Sequence, residues 1–278
     1  MASANAPRWD YDPVSLALRG LLIEEPRTNL LLNSATLGTQ TVTVTAQAYT
    51  LSFYGTGTVT LSGASTAGPL AGTGAFPQRV SLTFTPAAGS LTATVTGSVL
   101  NAQLEAGAAA SSWIPTTAAA VARTVDTAVY VAAPLDANNG SLVAEVYLPR
   151  VNPGANVEYA TMDAGTVADV IAARQAGGGN VGVAIVWVGG VQQISLTSAG
   201  AVAVGVNKVG LTYARGAPIA VTVATNGSAV ASGAPAALPT PTRLTFGTGR
   251  NNPLNGYVRR VSYWNTALSN AQLQAVTT

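Results

Sequence analysis

The chain has 278 residues, with no histidine, no cysteine and 9% charged residues, and a formal net charge of +2. Enzyme chemistry near neutral pH draws mostly on imidazole, thiolate or grouped carboxylates. The first two are absent, and the acidic residues are scattered, with none after Asp169, so function is expected in surfaces rather than in a reaction centre.

The length fits one large or two ordinary domains. Apolar runs reach about five residues, far short of the roughly 20 that span a bilayer, so no membrane insertion is expected. The opening Met1-Ala-Ser-Ala-Asn-Ala-Pro has neither the basic region nor the apolar core of a signal peptide, which leads us to expect a protein assembled in the cytoplasm. Residues 1–27 combine Trp9, Tyr11, Leu16, Leu18, Leu21, Leu22 and Ile23 with Arg8, Asp10, Asp12, Arg19, Glu24, Glu25 and Arg27. So short a segment cannot bury its own apolar set, and it is expected to dock on a following domain or a neighbouring chain.

From Thr41 the pattern has period two. Strands are expected over 41–45, 49–54, 56–62, 79–85, 90–96 and 98–104, separated by Gly, Pro and small polar residues. Residues 107–122, which contain Trp113-Ile-Pro115, read as a linker that wraps this first domain, because proline does not continue a ladder. Strand signals restart over 126–132, 140–148, 156–162, 167–174, 181–188, 192–197, 208–215, 217–225, 243–247 and 256–264. Turn chemistry divides them at Asn138-Asn-Gly140, Gly177-Gly-Gly-Asn180, Gly189-Gly190 and Asn226-Gly227. Only the last ten residues look helical, with Ser269 as N-cap and Gln272 three places on. The fold class is therefore all-β: two antiparallel β-sandwich (jelly-roll) domains, 28–122 and 123–278, after an N-terminal anchoring segment, 1–27.

After Asp169 come Arg174, Lys208, Arg215, Arg243, Arg250, Arg259 and Arg260 with no acidic residue beside them. Such a bias suits acidic sugars or phosphates, or simply solubilises a surface. The arginines are neither clustered nor interleaved with stacking aromatics, so no nucleic-acid partner is expected.

Three stretches carry a resemblance. Arg19-Gly-Leu-Leu-Ile-Glu-Glu-Pro-Arg-Thr-Asn-Leu-Leu-Leu-Asn-Ser34 resembles the opening of bacteriophage and prophage virion proteins, where it precedes a carbohydrate-binding-module-like jelly roll. Tyr49–Gly63, with the closing Gln103–Gly107 and Ser112–Thr117, is similar to that module. Gly256–Leu273 resembles the last strand and closing helix of a laminin-G-like, concanavalin-A-like sandwich. The resemblance implies a virion structural protein of the tail-fibre, spike or head-fibre type, associated with other virion proteins, commonly as a homotrimer. It further implies an N-terminus that anchors and sandwiches that contact host cell-surface polysaccharide. A decoration protein without a receptor role and a glycan depolymerase are the alternatives.

Glycan hydrolases of the concanavalin-like type carry several carboxylates within one strand, whereas Glu145 and Glu158 each stand alone here. Hydrolysis needs a pair of carboxyl groups roughly 5 to 9 Å apart, so no catalytic residue is assigned. Asp136-Ala-Asn-Asn-Gly140 offers one carboxylate where calcium wants several oxygens. It reads as an Asx-rich turn, and neither metal nor cofactor is expected. Candidate glycan-binding residues are the aromatics Trp187, Tyr213 and Tyr54, each equally suited to core packing. Beside them stand Arg250, Asn251 and Asn252, in a polar loop of the kind that carries binding residues.

Overall fold

The structure is a computed structural model and describes residues 6–131, 133–151 and 155–278. The opening residues of the N-terminal segment and the end of the expected strand 126–132 lie outside the described residues. Among the described residues about 51% are in strands, and one short helix accompanies them. The protein is an all-β antiparallel sandwich fold. It divides into two compact units, 26–125 and a second formed by the residues before 26 together with 126–278.

The 26–125 unit packs a four-stranded sheet, in the order Gln40–Val44, Gly89–Thr96, Thr58–Gly63, Leu70–Ala71, on a three-stranded sheet, Val99–Ala106, Tyr49–Gly55, Val80–Phe84. Alternation along each strand sends one face inward. Leu51, Phe53, Val59, Leu61, Leu91, Ala93, Ala102 and Leu104 form its core, each large side chain contributing about 1.5–3 kcal/mol on burial. The segment read as a wrapping linker closes against this unit. Its Val121–Arg123 strand pairs with Arg27–Asn29, and Ile114 is buried. Asn29, fully buried, spends its whole hydrogen-bonding capacity: its amide donates to the carbonyls of Ala102 and Ile114, and its oxygen accepts from the amides of Leu31 and Leu104. That explains why a polar residue precedes the apolar run Leu30-Leu-Leu32.

The other unit has a seven-stranded sheet ordered Trp9–Tyr11, Leu18–Ile23, Gly256–Trp264, Asn139–Leu148, Gly205–Ala214, Ala220–Thr225, Ala231–Gly233. Facing it is a six-stranded sheet ordered Ala128–Tyr130, Arg243–Phe246, Val157–Asp163, Val170–Gln175, Val181–Val188, Val191–Ala201. Leu142, Val146, Leu211, Tyr213 and Val223 from one sheet meet Tyr159, Met162, Ile171 and Val186 from the other. The N-terminal segment is not a separate appendage: Leu21, Leu22 and Ile23 pair with Val258, Tyr257 and Gly256. Ile23 enters the core and Leu21 packs against it. Trp9, Tyr11, Leu16 and Leu18 stay exposed.

Local chemistry follows the sequence where it was distinctive. Gly189 and Gly190 both take positive φ between the paired strands 181–188 and 191–201, the conformation that two-residue hairpins require. Asn226 and Gly227 do likewise before the short strand Ala231–Gly233. The Asp136 carboxylate accepts from the amides of Asn138 and Asn139, an Asx turn. The Asn270–Val276 helix has a full capping box between Ser269 and Gln272, and it buries Leu273 beside Val143 and Trp264. Among the described residues no helix is long and apolar enough to cross a membrane.

Candidate functional site

The outer face of the six-stranded sheet carries a group of buried polar side chains that a simple alternation does not place. Val157–Asp163 pairs with Val170–Gln175, but the register shifts between Glu158 and Ala160. This bulge sends both Tyr159 and Ala160 into the core, so Glu158, Thr161 and Asp163 share the outer face. Glu158 lies directly opposite Arg174, and residues so paired have Cβ atoms about 5 Å apart. Along the neighbouring strand, Trp187 packs with Val170, Ala172 and Ile185 on that same face.

The loop after the Arg243–Phe246 strand closes over these residues. Its backbone is tied down where Glu158 N donates to the Asn252 carbonyl at 3.2 Å and Asn252 N to the Asn156 carbonyl at 3.2 Å. Asn251 donates its side-chain amide to Glu158 Oε1. Arg250 lies with its guanidinium 3.5 Å from the centre of the Trp187 ring and donates to the Val167 carbonyl at 2.6 Å. A Cβ at Gly249 would stand 2.6 Å from Thr161 Oγ1 and 3.3 Å from Glu158 Cγ, so only glycine lets the loop come this close. The Thr161 hydroxyl, 3.5 Å from Glu158 Oε2 and 3.3 Å from the Thr248 carbonyl, donates to one or the other.

This cluster is not internally satisfied. Arg174 is 8% exposed, its Nε has no partner, and among the described residues no hydrogen bond or ion pair reaches its guanidinium. Trp187 Nε1 and Thr248 Oγ1 are likewise buried without a partner. Burial pushes the Glu158 carboxyl above its ordinary value, against the pull of the Asn251 and Thr161 hydrogen bonds and of the Arg174 and Arg250 charges. Burial and the nearby Arg250 charge lower Arg174, although Glu158 opposes them. Both groups are thus driven toward their neutral forms, the sign that each lacks sufficient compensation. The other carboxyl on this face, Asp163, is by contrast held by Arg243, by Thr245 Oγ1 at 2.8 Å and by Gly165 N at 2.7 Å.

The sequence-predicted residues fall into distinct places. Trp187, Arg250 and Asn251 come together in this cluster. Asn252 is a neighbour, but its side chain donates to the Asn156 carbonyl at 3.1 Å and holds the loop. Tyr213 is a core residue, 1% exposed, whose hydroxyl meets Tyr263 at 2.9 Å; it cannot serve as an exposed platform. Tyr54 belongs to the other unit, where its ring lies 5.9 Å from that of exposed Phe76 and 6.0 Å from the Arg79 guanidinium. Sequence reasoning missed Glu158, Arg174, Thr161 and Thr248 as site residues. The available signal was a lone arginine closing the apolar run Val170-Ile-Ala-Ala173, opposite a lone glutamate.

No known protein family matches the chain, and no curated protein does. Among solved structures, the Ruminococcus gnavus IT-sialidase CBM40 is similar at 14% identity and a TM-score of 0.42, over 51% of this chain and 84% of that one. A SAP-like pentraxin from Limulus polyphemus is similar at 10% identity and 0.39, over 51% and 70%. The leech intramolecular trans-sialidase is similar at 17% identity and 0.40, over 51% of this chain and 23% of that one. Likenesses of this size do not define a family.

Proposed function

We propose that the protein is a non-enzymatic virion structural subunit of fibre or spike type that contacts host surface glycans through its β-sandwiches. The observation that carries the glycan reading is the outer-face cluster of the 126–278 unit: an arginine stacked on a tryptophan, beside buried polar groups with open hydrogen-bonding capacity. Sugars are recognised by such combinations of an aromatic or planar surface with a few fixed donors and acceptors. The virion reading rests on the resemblance of residues 19–34. Attachment and threefold self-association are assigned to the hairpin that exposes Trp9, Tyr11, Leu16 and Leu18. Absence of catalysis is favoured because, among the described residues, Glu158 has no second free carboxyl facing it, Asp163 being engaged by Arg243 and Thr245.

Purified protein applied to a glycan array, with a parallel assay for released reducing ends, tests this reading. Retention at millimolar to micromolar affinity, raised by multiple copies on one particle, without release of reducing ends is the expected result. Release over time makes the protein a depolymerase. Retention on no surface polysaccharide leaves a decoration protein. Deleting residues 1–18 is expected to leave folded protein that no longer joins the particle or self-associates, and normal incorporation of the truncated chain rejects the anchor.

A further inference from the structure

Arg174 is the feature of the molecule most in need of a partner. An arginine presents five N–H donors in a rigid planar fork suited to bidentate recognition of a carboxylate. Here the residue is more than nine-tenths buried, its Nε is shut away without a partner, and the two terminal nitrogens keep accessible surface and meet no acceptor among the described residues. A buried guanidinium without an acceptor is costly. Its opposite neighbour Glu158 does not fill the role, because that carboxyl is engaged by Asn251 and lies beyond ion-pair distance of Arg174. Arg250, stacked on Trp187, adds a second positive charge that acts on both Glu158 and Arg174. Two guanidinium groups therefore face the one carboxyl of Glu158, and the balance of charge beneath the 248–252 loop is positive.

Resting on the glycan-binding reading above, we infer that the ligand is an acidic sugar whose carboxylate seats against Arg174. Its ring would meet the Trp187–Arg250 stack. One carboxylate offsets the positive charge of Arg174 and Arg250 and gives the Arg174 fork its acceptors. A neutral sugar would leave Arg174 as unpaired as it is in the free protein. A sulfate or phosphate ester also pairs with an arginine fork through two oxygens, and binding to dextran sulfate is what separates it from a carboxylate.

The test measures retention of the full chain on immobilised glycans of three kinds. The first are carboxylated: polygalacturonate, polysialic acid and heparosan. The second are neutral: dextran, mannan and fully methyl-esterified polygalacturonate. The third is dextran sulfate. The expected result is retention on at least one carboxylated glycan, loss of it where the carboxylate is esterified, and little retention on dextran sulfate. Arg174→Lys, which keeps the charge but not the fork, is expected to weaken binding about 10- to 100-fold, the equivalent of one or two charge-assisted hydrogen bonds. Arg250→Gln, at the half-exposed position, provides a second variant should Arg174→Lys fail to fold, and it is expected to weaken binding about tenfold. Retention on neutral glycans alone, or equal binding by both variants and the parent, overturns this inference while leaving the glycan reading intact. Retention on none of the three kinds overturns both. Preference for dextran sulfate over every carboxylated glycan overturns the assignment of the carboxylate.

Discussion

Each unit buries a glutamate completely on the outer face of a sheet, and the two are treated in opposite ways. In the 26–125 unit, Glu105 accepts from Gln103 Nε2 at 2.6 Å, from Ser111 N at 2.8 Å and from Ser111 Oγ at 2.6 Å, with Arg27 Nε 3.7 Å away. Gln103 in turn accepts from the amide of Ile114. In the 126–278 unit, Glu158 has Asn251 and at most one hydroxyl, while Arg174, Trp187 and Thr248 keep unpartnered polar atoms around it. A fully engaged carboxylate fixes structure: Glu105 pins Ser111, in the segment 107–122, to its sheet. An open network, kept at the expense of stability, is what a ligand site requires.

Glu105→Ala is expected to cost about 3–5 kcal/mol, because it removes the acceptor of Gln103 and Ser111 and the charge beside Arg27, and urea unfolding measures it. A loss below about 1 kcal/mol would mean that the network is not the clasp it looks to be. A matched pair of threonines sharpens the contrast. Thr116 Oγ1 donates to the Leu31 carbonyl and accepts from Ser34 N, so Thr116→Val should cost about 1–3 kcal/mol.

Glu158 makes a prediction of opposite sign. Its carboxyl value is raised in the folded protein, so its contribution is fully present below the ordinary value of 4.5 and is lost as pH rises through the raised one. Glu158→Gln removes that loss. The melting temperature of the variant, followed from pH 4 to pH 8, is expected to gain on the parent as pH rises; a parent that gains instead contradicts the assignment. The smallest effect is at Thr248, whose hydroxyl has no partner to lose. Thr248→Val should stay within about 0.5 kcal/mol of the parent, measured in the same unfolding series as Thr116→Val.

Much of the fold was legible because its signals are local. Thr/Val alternation, paired glycines at 189–190, Asn226-Gly227 and the Ser269/Gln272 capping box each act within a few residues, and each appears where the sequence placed it. The site was only half legible. Arg250 and Asn251 stood out as a polar loop, but their partners on the sheet did not. The bulge at Tyr159–Ala160 shifts which residues of 157–163 share a face, and no periodicity reveals a bulge. Likewise, nothing within 1–27 indicates that its Leu18–Ile23 strand pairs with Gly256–Trp264. Such long-range pairing depends on the whole sheet rather than on either segment. Tyr213 and Trp187 look alike in sequence, both aromatic and both in strands, and differ only in which face of their sheet they occupy.

Pairing of Leu18–Ile23 with Gly256–Trp264, with the 26–125 unit lying between them in the chain, also sets an order of events during synthesis. The strand at 18–23 leaves the ribosome early and waits for its partner until more than 200 further residues have been made. At about 5–20 residues per second, that delay is roughly ten to forty seconds. Meanwhile the 26–125 unit, whose pairings all lie within itself, is free to fold. The Asp126 amide donates to the Glu24 carbonyl at 3.0 Å, so the two ends of the surrounding unit meet where the intervening one departs and returns. Cutting out residues 26–125 and joining Glu25 to Asp126 through a short turn should therefore yield a self-sufficient sandwich whose early strand has far less time to pair with the wrong neighbour.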